Sequence, residues 1–289
     1  MPPRQPAPPP AEPLRLLCVL AHPDDESMAV GGLLARYAAE GVATYLLTAT
    51  RGERGWQGDP ADDPGPAALG RVREAELRAA AAVLGLREAR VLGYGDGELA
   101  RLDWAAPIAE VAGEIRRVRP QLLVTFGPDG ATGHPDHIAI SQIATAAAMR
   151  AADPGYAAAP DGPPHAVAKL YYYAESRERV RAFEAAFGVS ALSVDGAERY
   201  VAGWEPWAIT ARVDARPYAR QVARAIACHR SQLPSLAGFD RLTDEQHRVC
   251  WGEQELYRAF SLVGGAPAED DLFAGLRSAP AALAREVGR

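Results

Sequence analysis

Basic charge is scarce in this chain and lysine scarcer still: 31 Lys and Arg stand against 37 Asp and Glu, and Lys169 is the one lysine. A formal charge of −6 leaves no surplus to neutralise phosphates, which excludes nucleic acid as the main partner. Cysteine is sparse too. Cys18, Cys228 and Cys250 are odd in number and widely spaced, which argues against a disulfide framework and for a reducing compartment. Long apolar runs are missing, so no membrane partner is expected. The first 13 residues include seven prolines and read as neither a signal nor a transit peptide, giving an expected cytoplasmic location. A glycine-rich phosphate loop is also absent after the first apolar run, where Gly31-Gly32 comes too late. That counts against a nucleotide-binding module.

What is present is ordinary globular composition, 48% hydrophobic and 24% charged over 289 residues. Short apolar runs at 14–21, 42–49, 91–93 and 121–126 read as strands. The amphipathic stretches 28–40, 69–84, 104–118 and 138–150 read as helices between them. Such alternation predicts an α/β fold with a mostly parallel sheet covered on both faces. Further along, 169–174 and 207–213 read as strands, with helices over 217–232 and 243–260, the last opened by a Thr243/Gln246 capping box. The expected organisation is a Pro-rich tail at 1–13, one domain over 14–263 and a weakly ordered tail at 264–289.

Two polar clusters stand out against this background. Ala21-His22-Pro23-Asp24-Asp25-Glu26 follows the first strand and Gly133-His134-Pro135-Asp136-His137 follows the strand at 121–126. Open α/β sheets carry their ligands beyond the carboxyl ends of strands. A catalytic zinc site takes three protein ligands and leaves a position for water. His22 and Asp25 offer a local pair, and either His134 or His137 offers the third. Asp24 is a candidate to activate water. An N/O donor set without cysteine suits Zn²⁺ or Fe²⁺.

The pair AHPDDE and GHPDH resembles the signature of the PIG-L (LmbE-like) zinc-dependent N-deacetylases, from residue 14 to about 149, with a weaker echo at His229-Arg230-Ser231-Gln232. The resemblance implies a Rossmann-like fold without the nucleotide and a small-molecule glycoconjugate substrate containing N-acetylglucosamine, from which acetate is released. It implies His22, Asp25 and His137 as metal ligands and Asp24 as general base. His134 would stabilise the oxyanion or protonate the leaving amine, and Asp136 would orient a histidine. On the substrate side it implies Arg73, whose other reading is a salt bridge to Glu76, and Asp96, whose other reading is a turn residue. Arg51, in Arg51-Gly52-Glu53-Arg54, would line the same mouth.

The sequence departs from the mycothiol deacetylases in two places: they carry a tyrosine two positions before the second cluster's histidine, where Thr132 stands here, and Ser27-Met28-Ala29-Val30 after Glu26 matches neither mycothiol branch well. The aglycone is therefore left open, and with it a thiol-conjugate amidase that cleaves a bulkier amide at the same site. Oligomeric state, a homo-oligomer included, and the role of His229 are not readable from the sequence.

Overall fold

The structure is a computed structural model that describes residues 13–157, 162–188, 191–194, 197–201 and 203–277. Most of the Pro-rich start and the last twelve positions lie outside these residues. In chain order the main elements are β1 (Arg15–Leu20), α1 (Asp25–Met28), α2 (Gly31–Ala39), β2 (Ala43–Thr50), α3 (Pro66–Leu84), β3 (Glu88–Tyr94), α4 (Ala105–Val118), β4 (Leu122–Phe126), α5 (Gly130–Gly133) and α6 (Pro135–Ala152). They continue with β5 (Lys169–Tyr173), α7 (Arg177–Phe187), β6 (Ala191–Val194), β7 (Ala197–Tyr200), β8 (Ala211–Asp214), α8 (Ala219–Ile226), α9 (Asp244–Trp251) and β9 (Glu253–Ser261).

Seven strands form one sheet in the order β3-β2-β1-β4-β5-β9-β8, with β1 to β5 parallel and β9 antiparallel to both its neighbours, β5 and β8. The expected mostly parallel α/β sheet is what the chain builds. β1 and β4 are continuous apolar runs because both faces of the sheet are covered; Leu16 to Leu20 and Leu122 to Phe126 are all buried. The chain winds outward from β1 through β2 to β3, then returns to set β4 on the other side of β1. Leu16 pairs with Leu122 and Cys18 with Val124. That reversal opens a crevice at the carboxyl ends of β1 and β4. The two histidine–aspartate clusters follow these two strands, so the topology alone brings them together.

Beyond β5 the structure differs from the sequence reading. The helix expected over 243–260 stops at Trp251, and Glu253–Ser261 is a strand between β5 and β8. Gly252 separates them, and a Cβ there would lie 2.3 Å from the Arg248 carbonyl oxygen. The helix expected over 217–232 contracts to α8, leaving His229 in the turn that follows it. The β6–β7 hairpin and α7 were not anticipated at all.

Residues 264–277, expected to be part of a weak tail, lie along the sheet edge instead. The Arg212 N–H donates to the Glu269 carbonyl (2.9 Å) and the Glu269 N–H to that of Thr210 (2.9 Å). Leu272 and Phe273 are fully buried, Phe273 edge-on to Tyr37 at 5.1 Å. The Glu269 carboxylate accepts from Lys169 Nζ (2.7 Å), from Arg258 (2.9 Å) and from the Tyr171 hydroxyl, so the chain's lone lysine is a buried tether.

Candidate metal centre

His22, two residues past β1, is held by its far ring nitrogen. Nε2 lies 3.2 Å from Asp96 Oδ1 and 3.4 Å from Asp136 Oδ2, both buried carboxylates. Asp136 is itself fixed by the backbone N–H groups of Gly97 (2.7 Å) and Leu99 (3.1 Å), and Asp96 by that of Arg54 (2.8 Å). A nitrogen facing two carboxylates carries the proton, which leaves Nδ1 as the lone pair of the neutral ring. His137 is the mirror case. Its Nδ1 lies 3.1 Å from the Gly130 carbonyl oxygen, so the proton sits there and Nε2 is the lone pair. The ring stacks on Phe126 at 4.0 Å.

These two lone pairs face each other. His22 Nδ1 and His137 Nε2 are 3.1 Å apart, with Asp25 Oδ1 3.5 Å from His137 Nε2 and Asp25 Oδ2 3.9 Å from His22 Nδ1. Asp25 is aimed by the N–H groups of Ala21 (3.1 Å) and His22 (2.8 Å), which donate to Oδ2. Such a convergence of acceptors is repulsive unless something positive lies between them. Tetrahedral bonds of about 2.1 Å would separate ligand atoms by about 3.4 Å, close to the spacing here. The donor set fits a divalent cation. Without one, a proton answers the same demand. Burial opposes charge on His22, but its bonds to Asp136 and Asp96 and the field of Asp25 push it up to about 10. Burial likewise lifts Asp25 to about 7.

His134 lies beside this trio, its ring centre 4.8 Å from that of His22 and 5.0 Å from that of His137. Nitrogen atoms of all three histidines lie within 4.8 Å of one another. Pro135 opens α6 and His134 caps it, Nδ1 accepting the Asp136 N–H at 3.1 Å. That bond leaves the ring proton on Nε2. Burial and the neighbouring His22 lower its pKa to about 4, so near neutral pH His134 is an uncharged N–H donor.

Asp24 has φ 119° and ψ −29°, a backbone region that strongly disfavours a residue with a side chain. Its carboxylate is 3.0 Å from Arg73, whose guanidinium also donates to the carbonyls of Gly52 (2.8 Å) and Pro23. Burial raises the pKa of Asp24 while Arg73 opposes the rise. Gly52, at φ +60°, leaves the room this needs, since a Cβ there would lie 2.3 Å from Arg73 Nη1.

The structure thus gathers His22, Asp24, Asp25, Asp96, His134, Asp136 and His137 at one crevice. Arg73 is buried there, but against Asp24. Its other suggested partner, Glu76, accepts instead from the backbone (2.9 Å) and hydroxyl (2.6 Å) of Ser231, so that pairing is not formed. Arg51 turns outward to Glu74 (3.0 Å) with its side chain 45% exposed. Asp96 is occupied by His22 and the Arg54 N–H. The sequence reading gave no role to Glu26, which is fully buried under Asp24 and 2.7 Å from His229. The available signal was a third acidic residue in line after a buried strand, with a histidine far downstream.

Residues 17–148 match the family model described as PIG-L, GlcNAc-PI de-N-acetylase. A 1D-myo-inositol 2-acetamido-2-deoxy-alpha-D-glucopyranoside deacetylase of Streptomyces griseus is 37% identical over an alignment of 296 positions, spanning 91% of this chain and 89% of that protein. Among solved structures, a conserved protein of Thermus thermophilus superposes with a TM-score of 0.62 at 28% identity, over 87% of this chain and 97% of that one. A 4-carboxy-2-hydroxymuconate hydratase of Pseudomonas putida shares the fold at 20% identity and a TM-score of 0.61, over 88% of this chain and 99% of that one. Architecture alone therefore does not decide the chemistry.

Proposed function

The chain belongs to the PIG-L family, and we propose that it is a metal-dependent hydrolase that removes the acetyl group of an N-acetylglucosaminyl conjugate, yielding acetate and a free amine. The observation that carries this reading is the opposed lone pairs of His22 and His137 beside Asp25, with the strained Asp24 next in the chain. The name of the Streptomyces griseus relative, a deacetylase of an inositol N-acetylglucosaminide, supports the acyl group and the sugar. Thr132 is a reason to leave the aglycone open.

In this reading His22, Asp25 and His137 hold a divalent cation, zinc or iron(II). Such a cation, when bound, supplies Lewis acidity that lowers the pKa of water and polarises the amide carbonyl. Asp24 accepts the proton of the attacking water. The Nε2–H of His134 donates to the carbonyl oxygen as negative charge develops on it, a stabilisation that needs no proton transfer. Asp24 then returns its proton to the leaving nitrogen, so water is split between acetate and amine. Asp96 and Asp136 keep the His22 ring turned with Nδ1 inward throughout.

The test is a panel of N-acetylglucosaminyl conjugates that differ only in aglycone, assayed for new primary amine with and without chelator. Metal-dependent amine release together with acetate is the expected result. Release of a larger acid from a bulky thiol conjugate, with acetamides untouched, would replace deacetylation by the amidase reading.

A further inference from the structure

His229 and Glu26 form a buried pair for which the proposed reaction has no direct use. His229 is 1% exposed and Glu26 fully buried, with His229 Nε2 2.7 Å from Glu26 Oε1. The Ser27 hydroxyl donates to the same oxygen. The other oxygen, Oε2, accepts the backbone N–H of Asp24 at 3.0 Å. That N–H belongs to the residue with φ 119°; the Asp24 carbonyl is held by the N–H groups of Ser27 and Met28 (both 2.9 Å), and the Glu26 carboxylate holds the other backbone group of the strained turn. His229 comes from the turn after α8, some 200 residues away, and shares a narrow cleft with Asp24, Met28, Ile226 and Leu233.

Such strain persists only where surrounding groups over-determine it. Asp24 is gripped at its side chain by Arg73 and at its backbone by Glu26, and Glu26 is in turn fixed by His229 and Ser27. We propose that His229 is a positioning residue that acts through Glu26 to lock the Asp24 backbone, and so aims the carboxylate that serves as general base. This deepens the deacetylase reading and rests on it for what Asp24 does; the lock itself is a statement about backbone geometry. His229 touches no reacting atom.

The experiment uses the full chain, loaded with zinc, in three forms: wild type, His229→Leu and His229→Gln. Leucine removes the donor, and glutamine keeps one. The first readout is hydrogen exchange at the Asp24 amide, followed by NMR against Asp25 and the β1 amides as internal references. Leucine should unlock that amide selectively and speed its exchange about 10²-fold, and glutamine should restore much of the protection. The second readout is turnover: kcat should fall about 10²-fold in the leucine variant, with KM and bound zinc little changed, because a small misplacement of a catalytic group costs on that order. Unchanged Asp24 exchange in His229→Leu overturns the proposal, as does loss of protection spread evenly over β1. Should His229→Leu fail to fold, Glu26→Met, which has the length of glutamate but no oxygen to accept the Asp24 N–H, carries the same exchange test, and protection of Asp24 equal to wild type overturns the proposal there. A selective loss of Asp24 protection in a protein that hydrolyses no conjugate would leave the lock standing and remove the activity.

Discussion

Arg73 illustrates how one side chain's neighbours decide its meaning. On α3 it falls in the stripe of Leu69, Leu77, Ala80 and Leu84, and it is only 3% exposed. A buried guanidinium needs acceptors, and it finds two carbonyls and the Asp24 carboxylate. Replacing Arg73 by alanine leaves that carboxylate unpaired in a largely buried site. The expected cost is about 3 kcal/mol of stability, with kcat falling at least about tenfold and KM changing little. Lysine should rescue poorly, because a single ammonium cannot bridge Gly52, Pro23 and Asp24 as a planar fork does. Urea melts and steady-state kinetics on one preparation check this. A raised KM with unaltered kcat and stability would place Arg73 on the substrate instead.

At the scale of elements, legibility in the sequence followed the simplicity of the pattern. β1 and β4 were readable because strands buried on both faces are plain apolar runs, and the clusters beyond them were readable because polar groups at such ends need a reason. Arg73's partner was not readable, since it lies on another element and depends on Asp24 adopting a backbone that no propensity favours. β9 was missed because Glu253 to Ser261 carries charges and continues directly from a well-capped helix; its burial changes along the strand from the covered Gln254–Leu256 to the half-open Tyr257–Ser261. The edge segment 264–277 was missed because its fully buried anchors, Leu272 and Phe273, sit among glycine, proline and acidic residues. Those two anchors make the segment testable. Phe273→Ala should cost about 3–5 kcal/mol, the usual range for an emptied aromatic site. Melting in denaturant would read it, and a cost below about 1 kcal/mol would show that the segment adds nothing to the fold.

Over the whole molecule, the candidate metal centre ties together parts of the chain that are far apart in sequence. His22 and Asp25 follow β1, His137 lies in the first turn of α6, and only the pairing of β1 with β4 sets them side by side. A cation that binds the folded arrangement and not the unfolded chain stabilises it by about 4 kcal/mol at a free concentration a thousand times its Kd. Adding Zn²⁺ to chelator-treated protein should therefore raise Tm by several degrees, in proportion to the logarithm of metal concentration. His137→Ala should lose most of that rise, because it removes one of the opposed lone pairs. Asp24→Asn should keep the rise, since its carboxylate points to Arg73 and not into the trio, yet lose about 10²-fold or more in rate as a general base removed. Asp25→Asn, like His137→Ala, should lose the rise; an Asp24→Asn protein without the thermal shift and an Asp25→Asn protein that kept it would reverse the assignment of the two aspartates. Calorimetric scans with measured metal content on the same samples separate binding from chemistry, because the thermal shift reports the cation whether or not any substrate is turned over.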